Sequence, residues 1–371
     1  MVDLKRRGFL LSGFLIAALH AGAAMAADEN RVTVYPGPTV VKTMQMVASD
    51  FNKKNVPQVD VLTPDPARLI KSFCEAPEDA QKLLILSRKL TWAEMNNCEK
   101  SGELMGLFLA RFILAPVSNT SAVSFNITRK NIYLGIADQV PRSAVAESNL
   151  PARQRFELLS ATSDSFLVNP FRTWNEIEAD LPDVEINFIA PDGGTPKLIL
   201  DSKVLEAGCR GFKEVKTIFA AEDRTRVCTL YRPDGRVTLT DGWRFEDATK
   251  DLLASTKPTI AFVRLDSLNS EGITPLRWRG VTALDADFKP EEFAMRQETS
   301  VYFFSGAVRG NESESKITPT AAFLTELFSE SVVGPFGAFK KNGFYVLSIK
   351  DRMDARAILR RVRGLGESGV N

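Results

Sequence analysis

Histidine is all but absent. The 371-residue chain holds one, His20, and it lies in an N-terminal stretch expected to be removed. A mature protein without histidine lacks the commonest general base and the commonest metal ligand. Ser-His-Asp and Cys-His catalysis fall away, as do zinc sites built on imidazole. Net charge is nearly absent too: 47 Lys and Arg stand against 46 Asp and Glu. Such a chain carries no long-range field to gather nucleic acid or an anionic membrane. Also missing are a cofactor fingerprint, a clear nucleophile–base pair, an internal repeat and a low-complexity tract. These absences argue against an enzyme and call for no cofactor.

Long apolar runs are missing as well, with one near exception at the start. Residues 1–26 open with Lys5, Arg6 and Arg7, continue through an apolar stretch, and end in Ala24-Met25-Ala26. A basic start, a short apolar segment and an A-x-A end make an export signal peptide. Arg6-Arg7-Gly8-Phe9-Leu10 also resembles the twin-arginine export motif, although paired arginines occur in ordinary Sec signals. A retained anchor is the other reading. The apolar stretch falls short of the roughly 20 residues a spanning helix needs. The mature chain is therefore expected to be soluble and not membrane-spanning.

Cysteine is scarce but suits export. Four are present, and four allow three connectivities. The local pairing, Cys74 with Cys98 and Cys209 with Cys228, is preferred because each pair would close one strand-helix unit. Each loop of about 20 to 25 residues would contribute roughly 3 kcal/mol in the chain-entropy model. A metal site of four thiolates needs short spacings such as C-x-x-C, which do not occur.

What is present reads as alternating strands and helices. The stretch 31–35 alternates like a strand. Gly37, Pro38 and Thr39 break it, and Val40, Met44, Val47 and Phe51 follow at helical spacing. Thr39 is placed to cap that helix. A strand, a tight turn and a helix start make either an anion site or a plain structural turn. The apolar run 83–86 reads as a buried strand that ends in Ser87 and Arg88. In α/β sheets, ligands bind at the carboxyl ends of strands. Thr91 and Glu94 then form a capping box. The stretch 104–117 should be a buried strand crossing the core. Thr128 caps the next helix, whereas 140–165 lacks periodicity and reads as a loop. A strand over 184–190 leads through Gly193, Gly194 and Thr195 into an apolar helix, with Pro196 in its first turn. The Gly-Gly-Thr loop offers N–H groups and a hydroxyl to an anion, or is again only a turn. Arg232-Pro233-Asp234-Gly235 is a hairpin signal, and the basic helix 351–363 reads as a solvated face.

These residues, taken together, resemble the periplasmic phosphate-binding proteins of phosphate ABC transporters, in a form with two disulfides. The resemblance covers essentially the whole mature chain. Its most specific parts are Phe73-Cys74, Ser87-Arg88-Lys89, Glu94 and Cys98, then Asn169-Pro170, Trp174 and Leu181-Pro182. It implies a two-lobed α/β fold of periplasmic-binding-protein type II, with ligand in a cleft between lobes joined by two crossover strands. The implied lobes are 27–117 plus 267–371, and 118–266. The implied place is the periplasm, and the implied partners are a small-molecule ligand and an ABC permease or envelope sensor.

The chain also departs from that family. Gly37-Pro38-Thr39 replaces a turn richer in hydroxyls. The loop of Pro64, Asp65 and Pro66 replaces one rich in Ser and Gly. Lys82 stands near the place of an acid that takes the proton of hydrogen phosphate. Pro196 and Lys197 replace an arginine clamp and its carboxylate. Charged hydrogen bonds contribute roughly 1.5 to 3 kcal/mol each, so these losses amount to several kcal/mol of anion affinity. Two readings follow. In the first, Thr39, Ser87, Arg88, Gly194 and Thr195 bind a small oxyanion or other small polar solute. Ser87 and Thr195 would donate hydroxyls and Arg88 charge, with Lys82 or Lys197 in support. In the second, the scaffold is degenerate and serves in envelope interaction or regulation, with a cleft filled by Pro38, Pro66 and Pro196. Arg88 is a ligand charge in the first reading; as a structural residue it would pair with Glu94.

Overall fold

The computed structural model describes residues 30–364 apart from 55–56, 122–124, 219, 242–244, 283, 286–287, 290–292, 294 and 310–316. The side chains of 66–67 and 245–247 are likewise outside the description, and the export segment expected over 1–26 lies outside the described residues.

The chain enters through β1 (Arg31–Pro36), which pairs in parallel with β2 (Gln58–Val61) on one side and β3 (Lys82–Leu86) on the other. Helix α1 (Val41–Asn52) makes the first crossover, α2 (Pro66–Cys74) the second, and α3 (Trp92–Cys98) follows β3. The strand Arg296–Phe304 then lies antiparallel between β3 and β4 (Leu104–Ser118).

β4 is the long member, at 15 residues. Its first part, from Leu104 to Ile113, pairs with Arg296–Phe304. Its last part, from Leu114 to Ser118, pairs antiparallel with the strand Ile260–Arg264. Parallel strands Phe188–Pro191 and Val237–Thr240 continue the sheet beyond it. One strand thus pairs on both sides of the sheet, with Arg296–Phe304 along its first part and Ile260–Arg264 along its last. The short pairs Thr274–Pro275 on β4 and Arg277–Trp278 on Asn126–Ile127 attach to the far half.

The run 83–86 is unbroken because both faces of β3 are covered. Leu83 and Ile85 point into the main core, while Leu84 and Leu86 join Phe73, Leu90, Tyr302 and Phe304 in a second cluster. Phe73 and Phe304 stack there with ring centroids 5.1 Å apart. Cys74 is joined to Cys98 and Cys209 to Cys228, with Cα separations of 4.3 and 5.6 Å. The first bridge ties α2 to α3 across the end of β3.

Four expectations need correction. Thr39 does not cap α1. It sits inside a short 3-10 turn, Pro38–Val40, that precedes the helix. The stretch 140–165 is not a loop but holds helices Arg142–Glu147 and Ala152–Ala161; the second buries no residue, so it shows no apolar stripe. Arg232 to Arg236 does not turn a hairpin, because Val237–Thr240 pairs in parallel with Phe188–Pro191. The basic helix Ile349–Val362 is not wholly solvated, since Arg352 is buried against the Leu347 carbonyl and Glu330.

Candidate functional site

The carboxyl end of β3 opens on a cavity of about 400 Å³, in the size range of small-molecule sites. Gly37, Pro38 and Thr39 line it from the turn after β1, and Leu86, Ser87 and Arg88 from the end of β3. Leu69 and Ile70 come from α2, and Gly193, Gly194, Thr195, Lys197, Leu198 and Asp201 from the opposite half. All five residues singled out from the sequence, Thr39, Ser87, Arg88, Gly194 and Thr195, therefore meet at one cavity, although more than a hundred residues separate the two groups.

Each is held by a specific device. The Thr39 hydroxyl donates to Ser87 Oγ at 2.7 Å, and Ser87 Oγ meets Thr299 Oγ1 at 2.8 Å. All three are buried. Thr39 donates to Ser87, and between Ser87 and Thr299 either hydroxyl can donate, so the three form one connected hydroxyl chain beside the cavity. Thr299 stands where the register of its strand slips by a bulge. Its polar neighbours hid that strand start from the sequence, and an interrupted alternation before Val301 is the signal that was missed. Replacing Ser87 with alanine is expected to strand the Thr39 and Thr299 hydroxyls, at a cost of about 1 to 3 kcal/mol. A thermal unfolding midpoint within a degree of the parent's would refute that role.

Arg88 is fully engaged by Glu94. Its two terminal nitrogens donate to the two carboxylate oxygens at 2.7 Å each. The same carboxylate accepts the Thr91 amide at 2.7 Å, which closes the capping box expected for α3. The hydrogen bond from Arg88 holds the Glu94 carboxyl below its usual range, and Glu94 in turn raises the arginine. Bidentate pairs of this kind are the strong ones.

On the facing wall, Gly194 has φ +69°, a conformation that glycine adopts without steric cost. It begins the helix Gly194–Ile199, which runs through a π turn, Leu200–Leu205, into Glu206–Cys209. Thr195 directs its hydroxyl to no partner among the described residues. Lys197 pairs with Asp201 at 2.7 Å and lies 4.7 Å from the Tyr231 ring centroid. Burial pushes the Asp201 carboxyl above its usual range, against the opposing pull of Lys197. Asp201 was not anticipated; its four-residue spacing from Lys197 on a helix was the available signal. Lys82 takes no part. It sits at the other end of β3, with its ammonium 5.9 Å from the Tyr35 ring. Pro196 is buried behind the wall and lines a separate small cavity. Among the described residues, no three His, Cys, Asp or Glu side chains converge as a metal site, and no helix is long and apolar enough to cross a membrane.

A long strand shared by two halves of a mixed sheet, with a cavity between the halves, is the two-lobed α/β fold of periplasmic binding proteins, type II. Solved structures of phosphate-binding proteins share it. A possible phosphate-binding protein from Planctomyces limnophilus matches at TM-score 0.54 and 14% identity, covering 90% of this chain and 98% of that one. An ABC-type phosphate transport receptor from Vibrio cholerae matches at 0.50 and 15%, covering 85% and 100%. A phosphate-binding protein from Stenotrophomonas maltophilia matches at 0.51 and 11%, covering 88% and 93%. No family model matches the sequence, and no curated protein does.

Proposed function

We propose that the chain is an exported solute-binding protein that takes a small polar solute or small oxyanion in the cavity between its halves. The observation that carries this reading is the convergence of Thr39, Ser87, Arg88, Gly194 and Thr195 on one cavity from both sides. The lobes are taken as 27–117 with 267–371, and 118–266, except that Thr274–Arg279 of the first range pairs onto the far half and lines its cavity. Closing one on the other would surround a solute with hydroxyls and with the N–H groups of a helix start, which have no partner within the helix. The likeness to phosphate transport receptors supports a solute-binding, non-enzymatic role. An ABC permease or an envelope sensor is the partner that suits such a role, and the periplasm is the place that suits two disulfides. Export by the twin-arginine or Sec route would bring it there.

The ligand is not held here as tight phosphate sites require. Arg88 is occupied by Glu94 and Lys197 by Asp201. Pro38, Leu69, Ile70, Leu86 and Leu198 supply aliphatic wall. The same two facts favour the second reading, an envelope interaction or regulatory protein on a binding-protein scaffold. Calorimetry with inorganic phosphate tests the site first. Heat is expected only well above micromolar phosphate. Saturation at micromolar concentrations would overturn the argument from the paired cations. A thermal-shift screen with small oxyanions, polyols and amino acids then separates the readings. A stabilising solute whose effect disappears in Thr195→Ala supports solute binding, and a screen with no stabilising solute sinks it.

A further inference from the structure

Another cavity lies elsewhere, in the half that does not contain β3. It measures about 560 Å³ beside the start of α4 (Arg129–Ile136). Its lining is strongly basic. Arg129, Lys130, Lys213 and Arg279 face it, against Glu147 as the one lining carboxylate. Lys130 is answered by Glu178 at 3.2 Å. Glu214, which accepts from the Ser143 N–H and hydroxyl, lies beside Lys213, so Arg129 and Arg279 are the cations left facing Glu147. Arg129, Lys213 and Arg279 have no ion pair among the described residues.

Three independent features show that this charge is held against local preference. First, Arg129 and Lys130 occupy the first turn of α4, which contains no acid. A helix start carries partial positive charge and favours anions there. Second, Arg129 Nε is buried without a hydrogen-bond partner, although buried donors are normally satisfied. Third, Arg279 has φ +53° and is the one non-glycine residue with positive φ among those described. It and Gly280 (φ +89°) form the two central positions of a tight turn, closed by Trp278 N–H to the Val281 carbonyl at 2.8 Å. Such positions favour Asn, Asp or Gly. An arginine there aims a cation at the cavity despite an unfavourable backbone. Burial, and next the charge of Arg279, lower the Arg129 guanidinium from its usual value.

Two arginines without ion-pair partners, close enough for one to lower the other, around an open concavity are what a multiply charged anion would neutralise. We propose that this cavity is a second binding site, for a small organic or condensed-phosphate anion carrying at least two negative charges. Arg129 and Arg279 are its charge-bearing contacts, and Thr128, Ser143 and Lys213 lie within the same lining. The site is separate from the cavity at the end of β3, so it stands whether or not that cavity binds a solute.

The test is calorimetry on the mature chain at low salt, with inorganic pyrophosphate and citrate as probes. Saturable heat is expected for at least one. Arg279→Gly removes a charge while placing glycine where φ is positive, so it should fold at least as well as the parent. It is expected to weaken the probe by about tenfold or more, the effect of one lost charge-assisted contact, with no fall in melting temperature. Arg129→Gln should act in the same direction. Three results would overturn the proposal. One is no saturable heat from either probe up to millimolar concentration. Another is affinity unchanged in Arg279→Gly. The third is loss of the heat in Ser87→Ala, which would locate the ion at the other cavity.

Discussion

Reducing both disulfides is expected to remove about 6 kcal/mol of stability, roughly 3 kcal/mol for each loop closed. The closures span 24 and 19 residues. Domains of ordinary stability have only about 5 to 15 kcal/mol in total, so the reduced chain should be marginal or unfolded at room temperature. All four sulfurs are buried in apolar surroundings. The freed thiols would therefore add little penalty of their own, behaving as small hydrophobic groups, and the loss should come mainly from the freed chain. The measurement is denaturant unfolding with and without a strong reductant, repeated on Cys74→Ala/Cys98→Ala and Cys209→Ala/Cys228→Ala. Each pair variant should lose about half of the total. Unchanged midpoints under reduction would show that the loops contribute nothing. If the chain folds before export on the twin-arginine route, it must do so without this contribution.

The second large effect concerns Arg232. Its guanidinium is buried, with 3% of the side chain exposed. Nη1 donates to the carbonyls of Gly135 at 3.0 Å and Phe171 at 2.8 Å. Nη2 reaches the Asn169 carbonyl at 3.4 Å and Asp234 at 2.8 Å, and Nε reaches Asp234 at 2.9 Å. Asn169 donates its amide to the Leu134 and Ala137 carbonyls at 2.7 and 2.8 Å. The two residues together fasten the end of α4 to the chain that follows Phe166–Val168. Arg232→Met keeps the volume but leaves the Gly135, Asn169 and Phe171 carbonyls without their donor, while Asp234 keeps Arg236 as a partner at 2.7 Å. A cost of about 3 to 5 kcal/mol is expected, because several buried acceptors lose their donor at about 1 to 3 kcal/mol each. Arg232→Lys should recover little of it, because an ammonium cannot reproduce the planar fork. A loss below about 1 kcal/mol, the level of an ordinary surface change, would refute this account.

The strands, the capping box at Thr91, the cap at Thr128 and the cysteine pairs were legible because each is written in nearest neighbours. Periodicity, a cap three residues from its partner and a local loop all lie within one stretch of chain. The convergence of Ser87 with Thr195 was legible only through the family resemblance, since nothing in either segment points to the other. Arg232 was misread for the same reason. Asp234 and Gly235 form a strong turn signal, and its true use depends on carbonyls from two distant segments. Thr299 was missed because a bulge disguises its strand. The partnership of Arg88 with Glu94 was visible as one of two options. The sequence alone does not decide whether a guanidinium at a strand end turns outward to a solute or back to an acid six residues on.

That choice has a consequence for selectivity. Glu94 holds Arg88 through two hydrogen bonds of 2.7 Å and is itself fixed by the Thr91 amide. The carboxylate is thus a tethered competitor that occupies the cationic subsite at an effective concentration no free solute reaches. A visiting anion would have to displace an internal one that is already oriented, and would uncap α3 in doing so. Under the proposed function, a solute that leaves Arg88 alone and meets the hydroxyls of Thr39 and Ser87 instead would face no such rival.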